Sequence, residues 1–309
     1  PRILTAVTMK KLLIWLPGML SMLAACTEAV EIPARAPEKQ SPVRVELHLT
    51  TEQQAATRAM DENCIRDVNL YLYGDTEYHF YFPSVSSPLV FNVLPGNYRS
   101  YAIANAGQDL GDKNAFKIQF YETAVDVMES SDAIPMTDRG TLAVDGAGRC
   151  TPSSLRVTRS AAKIAYTIEV ADAVAPSLRL RSVQFCNLPL TIRPFDSGSI
   201  SSTVEANYYD GEAMPVGNER RTAGTAYLFE NLQGSVDTIT DQKDKCPENA
   251  PACATYLRIL AERSADKALV EYIVYPGENN TSDFNVRRNT WHNLELVIRG
   301  EDEIDNRVL

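Results

Sequence analysis

The strongest constraint on this chain is a two-residue hydrophobic period that recurs along most of its length. In "VRVELHLTT" Val43, Val45, Leu47 and Leu49 share one side and polar residues occupy the other; "RDVNLYLYGD" repeats the pattern with Val68, Leu70 and Leu72. Successive side chains of a strand point to opposite faces, so such segments read as half-buried strands. The same period runs through "LVFNVLPGNYRSYAIANAG", where a Leu-Pro-Gly turn separates two strands. It continues in "KIAYTIEV", "LRLRSVQFCNLP", "TAYLFENL", "ATYLRIL", "ALVEYIVYP" and "HNLELVIRG". Helical spacing is scarce. Strands this frequent, bounded by Gly, Pro, Asn and Asp, predict an all-β chain of sandwich type, with one face of each strand packed and the other wet.

The N-terminal segment follows another rule. From Met9 the chain reads "MKKLLIWLPGMLSMLAAC": two lysines, a mostly apolar run, then small residues and a cysteine, the layout of a bacterial export signal. The run is short for a membrane span and is interrupted by Pro17-Gly18. Leu23-Ala24-Ala25-Cys26 resembles the lipobox of bacterial lipoproteins, in which the cysteine becomes the acylated N-terminus. Cys26 is therefore expected to carry lipid, and residues 1–25 are set apart from the fold. The residues before Met9 read as translated upstream sequence. Residues 26–42, ending in "TEAVEIPARAPEKQSP", have no period and are rich in Pro, Ala and charge, which reads as a tether between a lipid anchor and the first strand.

The length of residues 26–309 suggests two domains. A long alternating strand, then "IRDVNLYLYGD", then an apolar segment entering "LPGNYR" find counterparts in "LRVTRSAAKIAYTIEV", "LRSVQFCNLP" and "AYLFENLQG". The chain looks built twice. Gly, Pro and Ser concentrate in "GAGRCTPSS" at 146–154, which places the joint there and gives domains of 43–150 and 151–309.

The net charge of −10, with lysines and arginines scattered, argues against a nucleic-acid partner. After Cys26 the cysteines are Cys64, Cys150, Cys186, Cys246 and Cys253, an odd number. Export permits disulfides, and Cys246 and Cys253 lie close enough along one polar loop to pair. There is no Cys-x-x-Cys, and His48, His79 and His292 are far apart in sequence, so no metal site is expected. No Gly-x-Ser-x-Gly, His-Glu-x-x-His or Gly-rich phosphate loop occurs; neither an enzyme nor a cofactor is expected. The acidic run "DTITDQKDK", with Asp237, Asp241 and Asp244, lacks the glycine and terminal glutamate of a calcium loop and reads as a solvated loop. Tyr71, Tyr73, Tyr78, Phe80, Tyr81 and Phe82 read as core and cross-strand partners in preference to a carbohydrate site.

Two long stretches, "FENLQGSVDTITDQKDKCPENAPACATYLRI" and "YIVYPGENNTSDFNVRRNTWHNLELVIRG", resemble the C-terminal part of the Bacteroidales fimbrillin superfamily, the subunits of type V pili and their Mfa-like relatives. "TRAMDENCIRDVNLYLYGD" and "GNYRSYAIANAG" resemble the N-terminal domain of the same family. The resemblance implies two tandem transthyretin-like β-sandwiches and no catalysis. It also implies a lipoprotein precursor, held to outer-membrane lipid through acylated Cys26, whose first strand is removed by an arginine-specific protease at the cell surface. The emptied groove then takes a strand from another pilus subunit. Carried onto this chain, the removable strand is Val43, Val45, Leu47 and Leu49, and the cut falls between Arg58 and Ala59.

Two features depart from the family pattern. Only "EDEIDNRVL" follows the last convincing strand, which leaves open a shortened chain or an anchor or accessory subunit that accepts without donating; the Cys246/Cys253 pair is the other departure. The alternative is a non-polymerising surface lipoprotein that keeps its first strand and binds a host glycan or protein.

Overall fold

The computed structural model describes residues 40–51, 63–114, 123–124, 134–195, 201–217, 219–301 and 303–308. Cys26, the tether up to Lys39, Arg58 and Ala59 lie outside the described residues. The expected all-β architecture is observed, as two β-sandwiches in tandem.

The first sandwich uses β1 (Val43–Thr51), β2 (Val68–Tyr73), β3 (Glu77–Phe82), β4 (Leu89–Val93), β5 (Gly96–Ala104), β7 (Met136–Val144), β8 (Cys150–Thr151) and β9 (Ser154–Arg159); the short β6 (Thr123–Ala124) stands apart from it. Its strands form one hydrogen-bonded path, β3-β2-β5-β7-β9-β1-β4, with β8 also on β7. The path bends where β7 meets β9 through Met136↔Arg159 and Thr137↔Thr158. Val45, Leu47, Phe91 and Leu155 can then pack against Leu70, Leu72, Ala102 and Leu142 in one core.

The second sandwich has two separate four-stranded sheets. β16 (Arg221–Phe229), β10 (Ala161–Val170), β19 (Trp291–Gly300) and β20 (Glu303–Val308) make one, and β15 (Met214–Pro215), β11 (Leu178–Cys186), β17 (Tyr256–Arg263) and β18 (Leu269–Val274) the other. Ile164, Ile168, Leu180, Phe185, Ile259 and Leu296 fill the space between them. Three two-residue strands, β12 (Leu188–Pro189), β13 (Thr191–Ile192) and β14 (Tyr208–Tyr209), decorate this half; β13 pairs with β6.

The strand order repeats. In each half the first strand lies between an antiparallel neighbour (β4 or β16) and a parallel one (β9 or β19). In the facing sheet β2 and β11 hold the same place, followed by β5 and β17, then β7 and β18. The joint, however, is not the Gly/Pro/Ser stretch at 146–154. That segment is a turn inside the first sandwich, because β9 pairs with β1; Ser160 alone separates β9 from β10. Tight turns and linkers share a composition, so composition misplaced the boundary.

One strand breaks the expected alternation: every residue of β2 is buried. Its outer face, with Asn69, Tyr71 and Tyr73, is covered by residues 105–113. The Asp67 carboxylate accepts the N–H groups of Ala106 and Gly107, the Asn69 amide donates to the Gln108 carbonyl, and the Tyr71 hydroxyl donates to the Gly111 carbonyl. The aromatics of β2 and β3 pack as core and cross-strand pairs, with Phe80 4.9 Å from Phe91 and Tyr71 stacked on His79 at 4.3 Å. Across the halves, the ring of Phe195 meets Tyr101 edge-on at 5.0 Å.

Ile164, fully buried at the centre of β10, fixes both neighbouring ladders of the second sandwich. Ile164→Ala should cost about 2–5 kcal/mol of stability, because the site can collapse only partly between packed sheets. Urea unfolding of the variant beside the wild type measures this directly.

Candidate functional site

β1 is a central strand. Its first half pairs antiparallel with β4 (Val43↔Val93, Val45↔Phe91, Leu47↔Leu89), and its second half pairs parallel with β9 (His48↔Ser154, Leu49↔Leu155, Thr51↔Val157). The period read from the sequence sets the depth of each residue. Val45 and Leu47 are wholly buried, Val43 and Leu49 half-buried, while Arg44, Glu46 and His48 face solvent. Burying each inward side chain contributes roughly 1.5–3 kcal/mol.

Side chains add little to this grip. The Leu49 N–H reaches the Ser87 hydroxyl at 3.4 Å, the Thr50 hydroxyl donates to the Leu155 carbonyl at 3.2 Å, and Arg44 meets Glu46 in solvent at 3.2 Å. What holds β1 is therefore a backbone ladder plus alternate apolar pockets. Chemically, that is a slot for any extended segment with apolar residues at every second position.

A turn closes over the N-terminal end of the strand. Asp145 organises it: one carboxylate oxygen accepts the N–H groups of Ala147 and Arg149, and the other receives the Arg149 guanidinium at 2.6 Å. Gly148, at φ 79°, lies so close to the Arg44 carbonyl that a Cβ would collide with it. This clamp was invisible in the sequence, where the segment looked like a linker.

Other sequence candidates fare differently. The Cys246–Cys253 pairing that the sequence permits is not formed: both are free thiols. Tight turns fold the intervening residues, with the Cys246 carbonyl accepting from Asn249 and Ala250 and Pro251 accepting from Ala254. Cys253 is buried, whereas Cys246 is partly exposed and bonded to Asn249. Asp241 caps a short 3-10 turn through the Lys243 N–H. Among the described residues no group of three or more His, Cys, Asp or Glu is placed to hold a metal.

The "YPGENNTSDFNVRRN" segment is a structural knot linking β18 to β19. Asn279 turns its amide oxygen onto the N–H groups of Thr281, Ser282 and Asp283. Burial would raise the Asp283 carboxyl, but the N–H of Glu278, the side chain and N–H of Asn285, and Arg287 hold it below the usual range. Beneath it, His292 Nδ1 lies 3.0 Å from the Gly277 carbonyl. Burial lowers the His292 pKa, opposed by Gly277 and Asp283 and reinforced by Lys245. Burial likewise brings Lys245 down to about 8, against the pull of Asp283.

Residues 226–296, from the end of β16 into β19, match a family model described as a domain of unknown function, DUF4906. No curated protein matches the sequence. Among solved structures, the chain is similar to a candidate cell adhesion protein from Bacteroides eggerthii, with a TM-score of 0.60 and 13% identity over 89% of this chain and 96% of that one. It is similar to a fimbrilin (FimA) from Porphyromonas gingivalis, at 0.56 and 14% over 84% and 90%. The tip fimbrial protein Mfa3 from the same organism, with a C-terminal truncation, gives 0.54 and 13% over 87% and 99%. The chain thus shares the fold of these proteins.

Two measurements test this description. Gly148→Ala should cost about 1–3 kcal/mol through its left-handed backbone and the close approach to Arg44. Hydrogen exchange should then speed up at residues 43–47 and stay unchanged in β10 and β19. The second concerns acid. A histidine with a depressed folded pKa contributes stability that is complete above its unfolded value of about 6.5 and is lost as pH falls through the folded value. Between pH 7 and 5, His292→Asn should therefore lose less stability than the wild type; equal losses in urea titrations would remove His292 as the cause.

Proposed function

We propose that this chain is a structural and adhesive subunit of a cell-surface fimbria, without catalytic activity. In this reading it is exported as an outer-membrane lipoprotein acylated at Cys26 and assembles by protease-triggered strand exchange with other pilus subunits. Fold likeness to a fimbrilin and a tip fimbrial protein supports the general class.

One observation carries the finer reading. β1 sits in the middle of its sheet, held by a ladder and apolar pockets, and among the described residues no other strand of the sandwich precedes it. A cut between Arg58 and Ala59, after β1 and before β2, would leave that strand attached by non-covalent contacts alone. Its departure would expose the β4 and β9 edges together with the pockets of Val45 and Leu47. An unpaired ladder above an open core is costly, so the groove would favour a replacement strand with the same apolar alternation.

The test is limited digestion of the purified protein with an arginine-specific protease, read by N-terminal sequencing and native mass spectrometry. A single new N-terminus at Ala59, loss of residues 43–50 and uptake of an added alternating peptide are expected, with Arg58→Ala blocking all three. Resistance at Arg58, with β1 still protected, would overturn strand exchange in favour of a surface lipoprotein that keeps its strand.

A further inference from the structure

The second sandwich carries a strand-sized slot remote in sequence from β1. Five successive residues, Glu271 to Tyr275, line a cleft of about 940 Å³. A strand face presents alternate residues, so an unbroken run along a wall means that the backbone edge of β18 faces the opening. Among the described residues β18 is the last strand of its sheet and pairs with β17 alone, in an unbroken register. The opposite wall comes from Glu301, Glu303 and Ile304 at the β19–β20 turn, and Asp241 and Glu248 contribute a third side. The Tyr272 hydroxyl donates to the Gly300 carbonyl at 2.6 Å and ties the two walls together.

The internal repeat shows what such an edge takes. β7, the counterpart of β18, has this edge covered by β8 (Ala143↔Thr151, Val144↔Cys150) and by the end of β9. No strand among the described residues covers β18. Its protection as an open edge is slight: "LVEYIV" has one charged residue, Glu271, and no proline, lysine or bulge.

We propose that the β18 edge is a docking slot for an extended segment of a partner protein whose residues alternate between apolar and basic. Inward residues of the added strand would continue the layer of Tyr272 and Val274 toward Ile304. Outward residues would meet the carboxylates. Asp241, Glu248, Glu271, Glu301 and Glu303 line the cleft beside Lys243, Lys245 and Arg299; Asp241, Glu271 and Glu301 already meet Lys243, Arg258 and Arg263, so the acidic surplus rests on Glu248 and Glu303, and the Lys245 ammonium is turned to the Asn279 carbonyl. The net charge of −10 disfavours a second copy of this chain as the occupant. The proposal does not depend on removal of β1.

The probe is a blocked, fluorescent peptide of about eight residues alternating valine and lysine, long enough to span the five-residue edge at ~3.3 Å per residue. Anisotropy should show saturable, salt-sensitive binding, and hydrogen exchange should slow at residues 271–275. Glu271→Lys, an exposed substitution, should weaken binding about threefold to fivefold, and a second variant, Glu303→Lys, should do the same. A valine/glutamate peptide should not bind. Protection at β1 and β4 instead of 271–275, equal binding of both peptides, or wild-type affinity in both variants would overturn the slot. Concentration-dependent self-association that protects residues 271–275 would overturn the partner-protein assignment.

Discussion

The parallel pairing of a first strand with a late one is the constraint on which both sandwiches depend. β1 reaches its ladder with β9 only after about a hundred residues have folded back, and β10 waits in the same way for β19. Parallel strands need a long crossover, and here the crossover is the rest of the domain. Until the pairing forms, Val45 and Leu47 have no floor beside Leu155, and Ile164 and Ile168 none beside Leu294 and Leu296. Contacts this distant in sequence are assembled late and cooperatively. Each sandwich is therefore closed by its first strand, even though that strand is made first.

The two halves differ in how that strand is tied. β10 is covalently bound at both ends, joined to β9 through Ser160 and to β11 through the turn at Ala171–Ser177. Among the described residues, sandwich structure follows β1 and none precedes it. The same central position is thus tied to sandwich strands on both sides in one half and, under the proposed strand exchange, open to release in the other, with no change in strand order. The second half instead gains β20, an extra antiparallel strand along β19. It also gains the Asn279–Asp283 knot, whose buried polar groups are satisfied locally and so rigidify the edge above β18.

Much of this was legible in the sequence, for a definable reason. Alternation reports which side chains go inward, so the strands, the buried side of β1 and the doubled plan could all be read. It is silent on direction, and the parallel pairing of β1 with β9 was not foreseen. It is also silent on second layers, so β2 looked half-wet although residues 105–113 cover its outer face. Composition misled twice: the turn clamped by Asp145 and Gly148 has linker composition, and Cys246 and Cys253 are neighbours in sequence yet unpaired. The cleft beside β18 left no periodic trace, because consecutive residues form an edge and periodicity describes faces.

The difference between faces and edges sets what each site can do. A strand entering the β1 slot would refill two wholly buried positions and two half-buried ones as well as a two-sided ladder, and such contacts are released only by opening the core. A strand at β18 would gain one ladder, and its outward contacts would be charge pairs in solvent, each contributing about 0–1 kcal/mol. The first joint is therefore suited to permanence and, being apolar, is indifferent to salt. The second is suited to exchange and weakens as salt screens Glu271 and Glu303. Under the two proposals together, the chain would combine a fixed connection in one sandwich with a replaceable one in the other, using the same backbone chemistry at two depths of burial.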